Sequence, residues 1–400
     1  MTVGLVRGIE AAPSRRLRGS ITSARLSGST VALAHDYITQ RGGAERVVLS
    51  FGRAFHGAPL YTTLYEPGGT FPEFAGLDVR AMSLNKWKVL RTHHRLALPF
   101  LAHEVSRNPI EADVLLASSS GWAHGIPTTG RKIVYCHAPA RWLYQTARYA
   151  GEPGSVGMRR HLVALADATL GRHLRQWDHA AALTADRYIV NSTVIQRAVR
   201  EVYGIEAEVL APPPAPFPRD GESTPLPGVD GRRFVLCVAR LLPYKNVQQV
   251  IEAVARVPGV DLVVVGDGPE RARLEGIAAG LGGTHLAGRV DDAQLRWLYE
   301  NCAGLVAASY EDFGLSPLEA ASFGKPTAAL HAGGYLDTVV GGRTGWFFEE
   351  PTPDAIAEAV SQMLSTPWCE ADILDQAELF SEKRFIARLR EVVEQERVRT

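Results

Sequence analysis

The chain has few cysteines, no long apolar run and no excess charge of either sign. Its 400 residues include four cysteines, and 43 basic side chains balance 43 acidic ones. The cysteines are far apart without metal-ligand spacing, which indicates thiols in a reducing compartment. The balanced charge disfavours nucleic acid as a partner. No apolar stretch reaches the ~18 residues of a membrane-spanning helix, so we expect a cytoplasmic protein that is soluble or peripheral to a membrane.

The first 29 residues differ in composition from the rest. Residues 1–29 hold five arginines and one glutamate with serine and glycine, but no apolar core of the secretory type. We expect a disordered basic leader. The composition also fits an organellar transit peptide or a basic tail that touches a membrane.

Both halves of the remaining chain show the same alternation of elements. From Phe234 onward, short apolar runs are followed by polar turns and then by segments of helical periodicity. The N-terminal half begins similarly at Val31 but is less regular. This alternation is typical of α/β domains with parallel sheets, so we predict two Rossmann-like, doubly wound domains that face each other across a ligand cleft.

The predicted division of the chain follows from these patterns and from a stretch rich in proline and glycine between the halves. It comprises a leader at 1–29, an N-terminal Rossmann-like domain at 30–210, a linker at 211–230, a C-terminal Rossmann-like domain at 231–380, and a C-terminal helix at 381–400 that could return to the N-terminal domain.

One predicted strand-to-helix turn carries two carboxylates, Glu311 and Glu319, eight residues apart. Gly314 and Leu315 offer backbone N–H groups just before the helix, where a diphosphate binds favourably. Carboxylates accept hydrogen bonds from sugar hydroxyls, so the turn could bind a nucleotide-sugar. The alternative is structural, because Ser316 as N-cap and Glu319 three residues later form a capping box.

Other residues with suitable chemistry follow the neighbouring predicted strands. The carboxyl ends of parallel strands share one edge of a sheet. The residues expected there are Arg240, Lys245, Gly266, Val290, Glu311 and Gly333. Because these residues are expected at the same edge as the two glutamates, the functional interpretation of the glutamates is favoured. The sequence has no Asp-x-Asp, through which some transferases recruit a metal, but Arg240 and Lys245 could neutralise a diphosphate directly.

Four motifs occur in order: Arg240-Leu-Leu-Pro-Tyr-Lys245-Asn, Gly266-Asp-Gly-Pro-Glu270, Gly288-Arg-Val290 and Glu311-Asp-Phe-Gly-Leu-Ser-Pro-Leu-Glu319. As a set they resemble the retaining family-4 glycosyltransferases of GT-B fold, and the resemblance covers most of the chain beyond Val31. His35-Asp-Tyr with Gly42-Gly-Ala-Glu45 further resembles bacterial mannosyltransferases that build surface polysaccharides.

The resemblance implies a reaction and its substrates. A hexose, with mannose among the candidates, would move from a GDP- or UDP-linked donor to a glycan or polyprenyl-linked acceptor. The anomeric configuration would be retained without an agreed protein nucleophile, and no separate cofactor or metal would be needed.

The resemblance also implies roles for individual residues. Glu311 would contact the hydroxyls of the donor sugar and Glu319 would hold the ribose, while Arg240 and Lys245 would grip the diphosphate. His137 matches a family histidine beside the transferred sugar; its alternative is a buried structural histidine. The remaining donor-site residues are Gly42, Gly43, Gly266, Val290, Phe313, Gly314 and Leu315.

The same residues suggest three other function classes. Glu311 and Glu319 could be the acid and base of a glycoside hydrolase, but the two cations and the strand repeats argue against it. A dehydrogenase is disfavoured because Gly266-Asp-Gly-Pro lacks the complete dinucleotide fingerprint. A non-catalytic protein that binds a nucleotide-sugar would share the same cleft, and turnover distinguishes it.

A basic segment, residues 83–107, mixes cations with leucines and has Glu104 as its single acid. Such a mixture suits an anionic membrane surface at the inner face of the cell membrane, and an ordinary solvated helix face is the alternative. The residues expected at the membrane are Lys86, Trp87, Lys88 and Arg91.

Overall fold

The computed structural model describes residues 24–26, 29–144, 171–215, 221–229 and 231–399. The predicted basic leader lies outside this part of the chain, apart from 24–26 and 29. Linker residues 216–220 and 230 also lie outside it. Within the described ranges, no helix is both long enough and apolar enough to cross a membrane.

The N-terminal domain is built on an eight-stranded sheet in the order β4-β3-β2-β5-β6-β7-β8, with β1 paired antiparallel to β2. All neighbours in that order are parallel. The strands are β1 (Ala24–Leu26), β2 (Ser29–His35), β3 (Leu60–Thr62), β4 (Val79–Ala81), β5 (Val114–Ser119), β6 (Arg131–Cys136), β7 (Arg187–Val190) and β8 (Glu208–Val209). The described helices are α1 (Gly43–Ala54), α2 (Lys88–Thr92), α3 (Leu98–Ser106), α4 (Arg141–Tyr144), α5 (described over 171–182) and α6 (Thr193–Tyr203).

The C-terminal domain has a six-stranded sheet in the order β11-β10-β9-β12-β13-β14, with every pair parallel. The strands are β9 (Phe234–Val238), β10 (Asp261–Val265), β11 (Thr284–Gly288), β12 (Leu305–Ala307), β13 (Thr327–Leu330) and β14 (Gly345–Phe348). The helices are α7 (Val247–Val254), α8 (Arg271–Leu281), α9 (Asp292–Asn301), α10 (Leu315–Ala321), α11 (Tyr335–Thr338), α12 (Pro353–Ser365), α13 (Glu370–Leu379) and α14 (Glu382–Val398).

Apolar strands explain why both sheets are covered by helices. The central strands β5, β6 and β9 are buried over nearly their whole length. A strand buried on both faces belongs to a parallel sheet with helices on each side. The N-terminal sheet accordingly has one core on each face, and the C-terminal domain has one large core around β9 and β12.

The strand orders place the ligand crevice. Each sheet reverses its winding direction once, between β2 and β5 in the N-terminal domain and between β9 and β12 in the C-terminal domain. In doubly wound sheets, ligands bind beyond the carboxyl ends of the strands at this switch point. The segments that follow these four strands therefore border the expected ligand site.

Helix α14 leaves the C-terminal domain and packs on the N-terminal domain. Phe385 stacks on Phe51 of α1 with ring centroids 6.3 Å apart. Further along, the fully buried Glu396 accepts a hydrogen bond from Arg131 of β6 at 2.9 Å. Apolar burial and an ion pair to a buried carboxylate therefore both hold the end of the chain against the first domain.

Candidate active site

A cation and a carboxylate meet at the switch point of the C-terminal sheet. Lys245, in the turn after β9, forms an ion pair with Glu311, which follows β12. Asn246 has a left-handed backbone with φ 55, and its side-chain amide donates to the Ala308 carbonyl at 2.8 Å. Asparagine tolerates that conformation better than most residues. Asn246 thereby ties the Lys245 turn to the end of β12.

One oxygen of Glu311 is held within the protein. Its Oε1 accepts hydrogen bonds from Lys245 and from the Ser309 hydroxyl, the latter at 2.6 Å. The hydroxyls of Ser309 and the buried Tyr335 lie 3.2 Å apart. No hydrogen bond from a described residue reaches Oε2 of Glu311, so that oxygen can receive one from a ligand.

Glycines bring the turns after β12 and β13 into direct contact. The Gly334 N–H donates to the Glu311 carbonyl at 2.8 Å. A β-carbon at Gly333, whose φ is 67, would lie 2.4 Å from the same carbonyl oxygen. Gly314 has φ 81, and a β-carbon there would lie 2.5 Å from the Tyr335 ring. Gly333 and Gly314 are thus required both by backbone conformation and by packing.

The predicted capping box is wrong. Helix α10 begins at Leu315 with Gly314 as its N-cap, and no side chain caps it. The left-handed Gly314 lets the chain enter the helix two residues earlier than expected, so Ser316 lies inside the first turn. The carboxylate of Glu319 instead accepts a hydrogen bond from the buried Tyr299 hydroxyl at 2.7 Å.

Glu319 is half-buried, and its packing disfavours the charged form of its carboxyl group. Burial raises the pKa of its carboxyl group, and this effect exceeds the opposing ones. The Tyr299 hydrogen bond, the charge of Arg46 on α1 and a backbone hydrogen bond from Ala215 each lower that pKa. The pKa of Glu319 therefore depends on groups in the C-terminal domain, in the N-terminal domain and in the segment between them.

The turns after β9, β10 and β11 are bonded side by side. The Ala239 N–H donates to Val265 at 3.0 Å, and the Gly266 N–H donates to Gly288 at 2.8 Å. A β-carbon at Gly266 would lie 1.9 Å from the Ala239 carbonyl oxygen, which accounts for glycine at this position.

The other two residues expected at this edge differ in burial. Val290 is half-buried against the C-terminal core. Arg240 is exposed, and no hydrogen bond or ion pair joins it to another described residue. Arg240 therefore lies in the expected turn without sharing in the ion pair of Lys245 and Glu311.

His137 follows β6 at the facing edge of the N-terminal sheet. Its Nε2 lies 2.8 Å from the Ser118 hydroxyl, whose oxygen is 3.0 Å from Nδ1 of His35. Burial, followed by the neighbouring side chains of His35 and Arg141, lowers the pKa of His137 to about 3. Asn191 donates to the His137 carbonyl at 3.1 Å. The imidazole is therefore neutral, buried and hydrogen-bonded.

The glycine pair lies at the start of α1. Gly42 is the N-cap and Gly43 the first helical residue. A β-carbon at Gly42 would lie 2.5 Å from Oε2 of Glu45, a buried carboxyl group. Burial raises the pKa of Glu45, while the neighbouring His35 side chain lowers it by less. No described residue bonds Oε2 of Glu45.

The two domains touch at the cleft through several contacts. Arg141, four residues after His137, forms an ion pair with Asp312, the neighbour of Glu311. The Thr193 N–H and hydroxyl both donate to Asp337, at 2.8 and 2.7 Å. These contacts place the loop that carries His137 beside the loop that carries Glu311.

A third contact joins the glycine pair to the start of α10. A β-carbon at Gly43 would lie 3.6 Å from Cδ1 of Leu315. Phe313, two residues earlier, is buried, and its ring centroid is 6.1 Å from that of Phe380. The N-terminus of α1 therefore directly opposes that of α10 across the crevice.

The basic segment lies beside the carboxyl edge of β2 and β3. The His94 ring stacks on Tyr37 with centroids 4.7 Å apart, and Arg91 pairs with Glu66 at 3.2 Å. Trp87 is 65% exposed, and Val89, Leu96 and Phe100 are each more than half exposed.

A cavity of about 580 Å³ opens next to this segment, and its lining mixes apolar groups with cations. Tyr61, Met82 and Ile110 are among the former, and Arg80 and Lys86 among the latter.

Several residues of the site lie outside the sequence motifs. Ser309 and Tyr299 orient the two glutamates, Ser118 binds His137, and Arg141 bridges the domains. Of these, Ser309 alone could have been recognised locally, because its hydroxyl follows an apolar run and lies two residues before Glu311. The others act through contacts between distant parts of the chain, which spacing does not reveal.

The C-terminal half of the chain matches a known protein family. Residues 222–379 match the family described as Glycosyl transferases group 1. This confirms the resemblance inferred from the motifs of the C-terminal half.

Mannosyltransferases are among the relatives that this chain resembles. It is 31% identical over 179 residues to a GDP-mannose-dependent alpha-(1-6)-phosphatidylinositol monomannoside mannosyltransferase of Mycolicibacterium smegmatis, which covers 41% of this chain and 46% of the relative. It is 31% identical over 209 residues to a GDP-mannose-dependent alpha-mannosyltransferase of Mycobacterium tuberculosis, covering 51% and 50%. The chain thus spans about half the length of these curated relatives.

Solved structures confirm the predicted fold. The chain superimposes on HepE of Anabaena, crystallised with UDP and glucose, with a TM-score of 0.66 and 19% identity, over 91% of this chain and 99% of that one. It also superimposes on WaaG, a glycosyltransferase involved in lipopolysaccharide biosynthesis, with a TM-score of 0.55. The protein has the GT-B fold of two Rossmann-like domains.

Proposed function

We propose that this protein moves a hexose from a nucleotide-diphosphate sugar to a hydroxyl group of an acceptor, with retention of the anomeric configuration. The observation that carries the proposal is the ion pair of Lys245 and Glu311 at the switch point of the C-terminal sheet. A crevice with a cation beside a carboxylate suits a ligand that combines a diphosphate with a sugar.

The diphosphate would be neutralised by protein groups. Cleavage of the donor puts negative charge on the departing diphosphate, and Lys245 with the nearby exposed Arg240 would stabilise it without a metal ion. Gly42 and Gly43 would approach the phosphates from the opposite domain through the N-terminus of α1. Both walls of the crevice would then favour the leaving group.

The two glutamates would hold the rest of the donor. Oε2 of Glu311 would accept a hydrogen bond from a sugar hydroxyl, and Glu319 would accept from the ribose. The turn at Val290 would meet the base. The acceptor hydroxyl would attack from the face that the diphosphate leaves, and a phosphate oxygen would take its proton, so we assign no protein nucleophile. The family-4 motifs support this retaining course.

Mannose from GDP-mannose is the first donor to test. The support is that two of the relatives above are described as GDP-mannose-dependent, whereas HepE was crystallised with UDP and glucose. A panel of GDP- and UDP-linked hexoses in an assay of nucleoside diphosphate release would separate these donors. Saturable binding of a nucleotide-sugar without release would favour the non-catalytic alternative.

Two variants test the placement of the donor. Lys245→Ala should mainly lower kcat, because it removes the charge that stabilises the leaving group. Glu319→Gln should mainly raise the KM for the donor. Unchanged kinetics in both variants would mean that the donor binds elsewhere.

The acceptor side of the proposal is a lipid-linked glycan at the inner face of the cell membrane. The exposed Trp87 and the cations Lys86 and Lys88 combine apolar area with positive charge, as a surface that docks on anionic lipid does. Stacking of His94 on Tyr37 ties the segment to the chain that leads from β2 to Gly42, so an acceptor held there would lie close to the crevice.

Cosedimentation with vesicles tests this docking. Wild-type protein should bind vesicles that contain anionic lipid and bind neutral vesicles much less. Neutralising Lys86 and Lys88 to glutamine should abolish the difference, whereas the matched pair Lys325→Gln and Lys383→Gln should leave it intact. Equal binding by both double variants would contradict the proposal.

A further inference from the structure

A serine hydroxyl lies between two buried imidazoles next to the crevice. His35 and Ser118 are register partners on β2 and β5, and His137 follows β6. Their exposed fractions are 3%, 0% and 8%. The Ser118 oxygen is 3.0 Å from Nδ1 of His35 and 2.8 Å from Nε2 of His137. The three side chains form one hydrogen-bonded row.

The direction of the hydrogen bonds in this row follows from a backbone carbonyl. Nδ1 of His35 also lies 3.2 Å from the Ser118 carbonyl oxygen. A carbonyl oxygen only accepts, so Nδ1 of His35 must carry the proton. Its N–H is then shared between the carbonyl and the hydroxyl oxygen of Ser118.

The hydroxyl of Ser118 therefore points to the other histidine. It cannot donate to Nδ1 of His35, because that nitrogen already carries a proton. Among the described residues, the acceptor left within reach is Nε2 of His137. A fully buried hydroxyl without an acceptor is strongly disfavoured. His137 must accept at Nε2 and keep its own proton on Nδ1.

We infer that Ser118 and His35 are positioning residues that hold His137 as a neutral hydrogen-bond donor, with its Nδ1–H available to a hydroxyl oxygen of the transferred sugar. No hydrogen bond to a described residue uses Nδ1 of His137, and the side chain keeps a small exposed area. The last step, which names the sugar, rests on the proposed function; the assignment of the proton does not.

The inference gives His137 a defined chemical role. An imidazole that already accepts at Nε2 and is protonated at Nδ1 does not act as a general base. Its low pKa keeps it in this form throughout the physiological range of pH. A neutral donor can hold the sugar without adding positive charge at the anomeric centre, where positive charge develops in the transition state.

Histidine nitrogens observed by NMR test the assignment directly. Long-range 15N–1H correlation spectra of protein with labelled histidine distinguish a protonated from a bare ring nitrogen. The His137 signals are identified by their loss in His137→Gln. We expect His137 with a proton on Nδ1, and His35 also with a proton on Nδ1. A proton on Nε2 of His137 would overturn the inference, whatever the enzyme assay shows.

Substitutions of Ser118 then test its role. Ser118→Ala removes the donor to Nε2, so His137 should show a mixture of the two neutral forms and kcat/KM for the donor should fall about tenfold, as expected for one hydrogen bond. Ser118→Thr keeps the hydroxyl and should restore both readouts. If Ser118→Ala does not fold, the comparison of wild type with Ser118→Thr remains decisive, since both must show the Nδ1–H form.

A matched control separates positioning from general loss of stability. Thr62 is a buried hydroxyl on β3, in register with His35, and its hydroxyl donates to the Leu64 carbonyl at 3.3 Å. Thr62→Val should leave the proton of His137 on Nδ1. A change in the His137 form as large as that in Ser118→Ala would contradict a specific role for Ser118. Correct proton positions together with absent sugar transfer would refute the proposed function and leave the assignment intact.

Discussion

The hydrogen bond from Tyr299 to Glu319 gives the sharpest test of the donor site. Tyr299 is fully buried, and its hydroxyl donates to Oε2 of Glu319 at 2.7 Å. Tyr299→Phe removes one oxygen and keeps the ring that stacks on Phe323 at 5.7 Å. A hydrogen bond to a charged group contributes ~1.5–3 kcal/mol. We take the lower part of this range, ~1.5–2 kcal/mol, because Glu319 is partly exposed and water can replace the hydroxyl.

This free energy should affect donor binding. If Glu319 holds the ribose, the KM for the donor should rise about 10- to 30-fold at little change in kcat, since 1.4 kcal/mol is a factor of ten. The pH profile should change as well. The Tyr299 hydrogen bond lowers the pKa of Glu319 against the effect of burial, so its loss should raise that pKa further. The acidic limb of kcat/KM against pH should therefore move to higher pH.

A matched variant isolates the effect. Tyr203→Phe also removes a buried phenol oxygen that donates to a carboxylate, but that carboxylate is Asp178 of the N-terminal domain, outside the proposed donor site. It should leave the donor KM and the acidic limb nearly unchanged. Steady-state kinetics of nucleoside diphosphate release from pH 5 to 8 give both quantities. An unaltered KM and an unshifted limb in Tyr299→Phe would refute the assignment of Glu319 to the donor.

Three further predictions concern charge and stability. Lys245→Ala should lower kcat by about two orders of magnitude, as loss of a transition-state donor does, while Lys245→Arg should restore part of the activity. Equal rates for the wild type and Lys245→Ala would contradict the role of Lys245 in stabilising the leaving diphosphate. Glu396→Ala should lower the free energy of unfolding by ~2–3 kcal/mol in denaturant titration, because Arg131 loses a buried partner, whereas the exposed Glu394→Ala on the same helix should change little. The pKa of His137 is about 3 in the folded state against the usual 6.5, so below pH 6.5 the unfolded state binds a proton that the folded state does not. The free energy of unfolding should therefore fall by ~1.4 kcal/mol per pH unit as the pH drops towards 4. His137→Gln should remove this contribution to the pH dependence.

The fold was predictable because it depends on repeated local patterns. Apolar runs such as 234–239 and 260–265 became buried parallel strands, and the glycine-rich turns after them lie at one edge. Lys245 and Glu311 were expected near each other for this reason, since each follows a strand and the two strands are neighbours. Periodicity and the order of elements carry this information.

The finer arrangement of the site depended on contacts that no local pattern encodes. Ser316 and Glu319 have the spacing of a capping box, yet the helix begins at Leu315. The residue before it, Gly314, packs against the Tyr335 ring, which comes from a distant part of the chain. The partner of Glu319 on α9 is set by tertiary packing, which overrides the local preference.

Helix α14 makes the N-terminal domain out of two separate stretches of chain. The polypeptide crosses between the domains twice, once between β8 and β9 and again where α13 leads into α14 at residues 380–381. With two covalent connections, relative movement of the lobes reduces to rotation about a line through both crossings rather than a free swing on a single tether. A cut in the first crossing would leave a C-terminal fragment that still supplies α14 to its partner, so the halves should remain associated through Phe385 and Glu396.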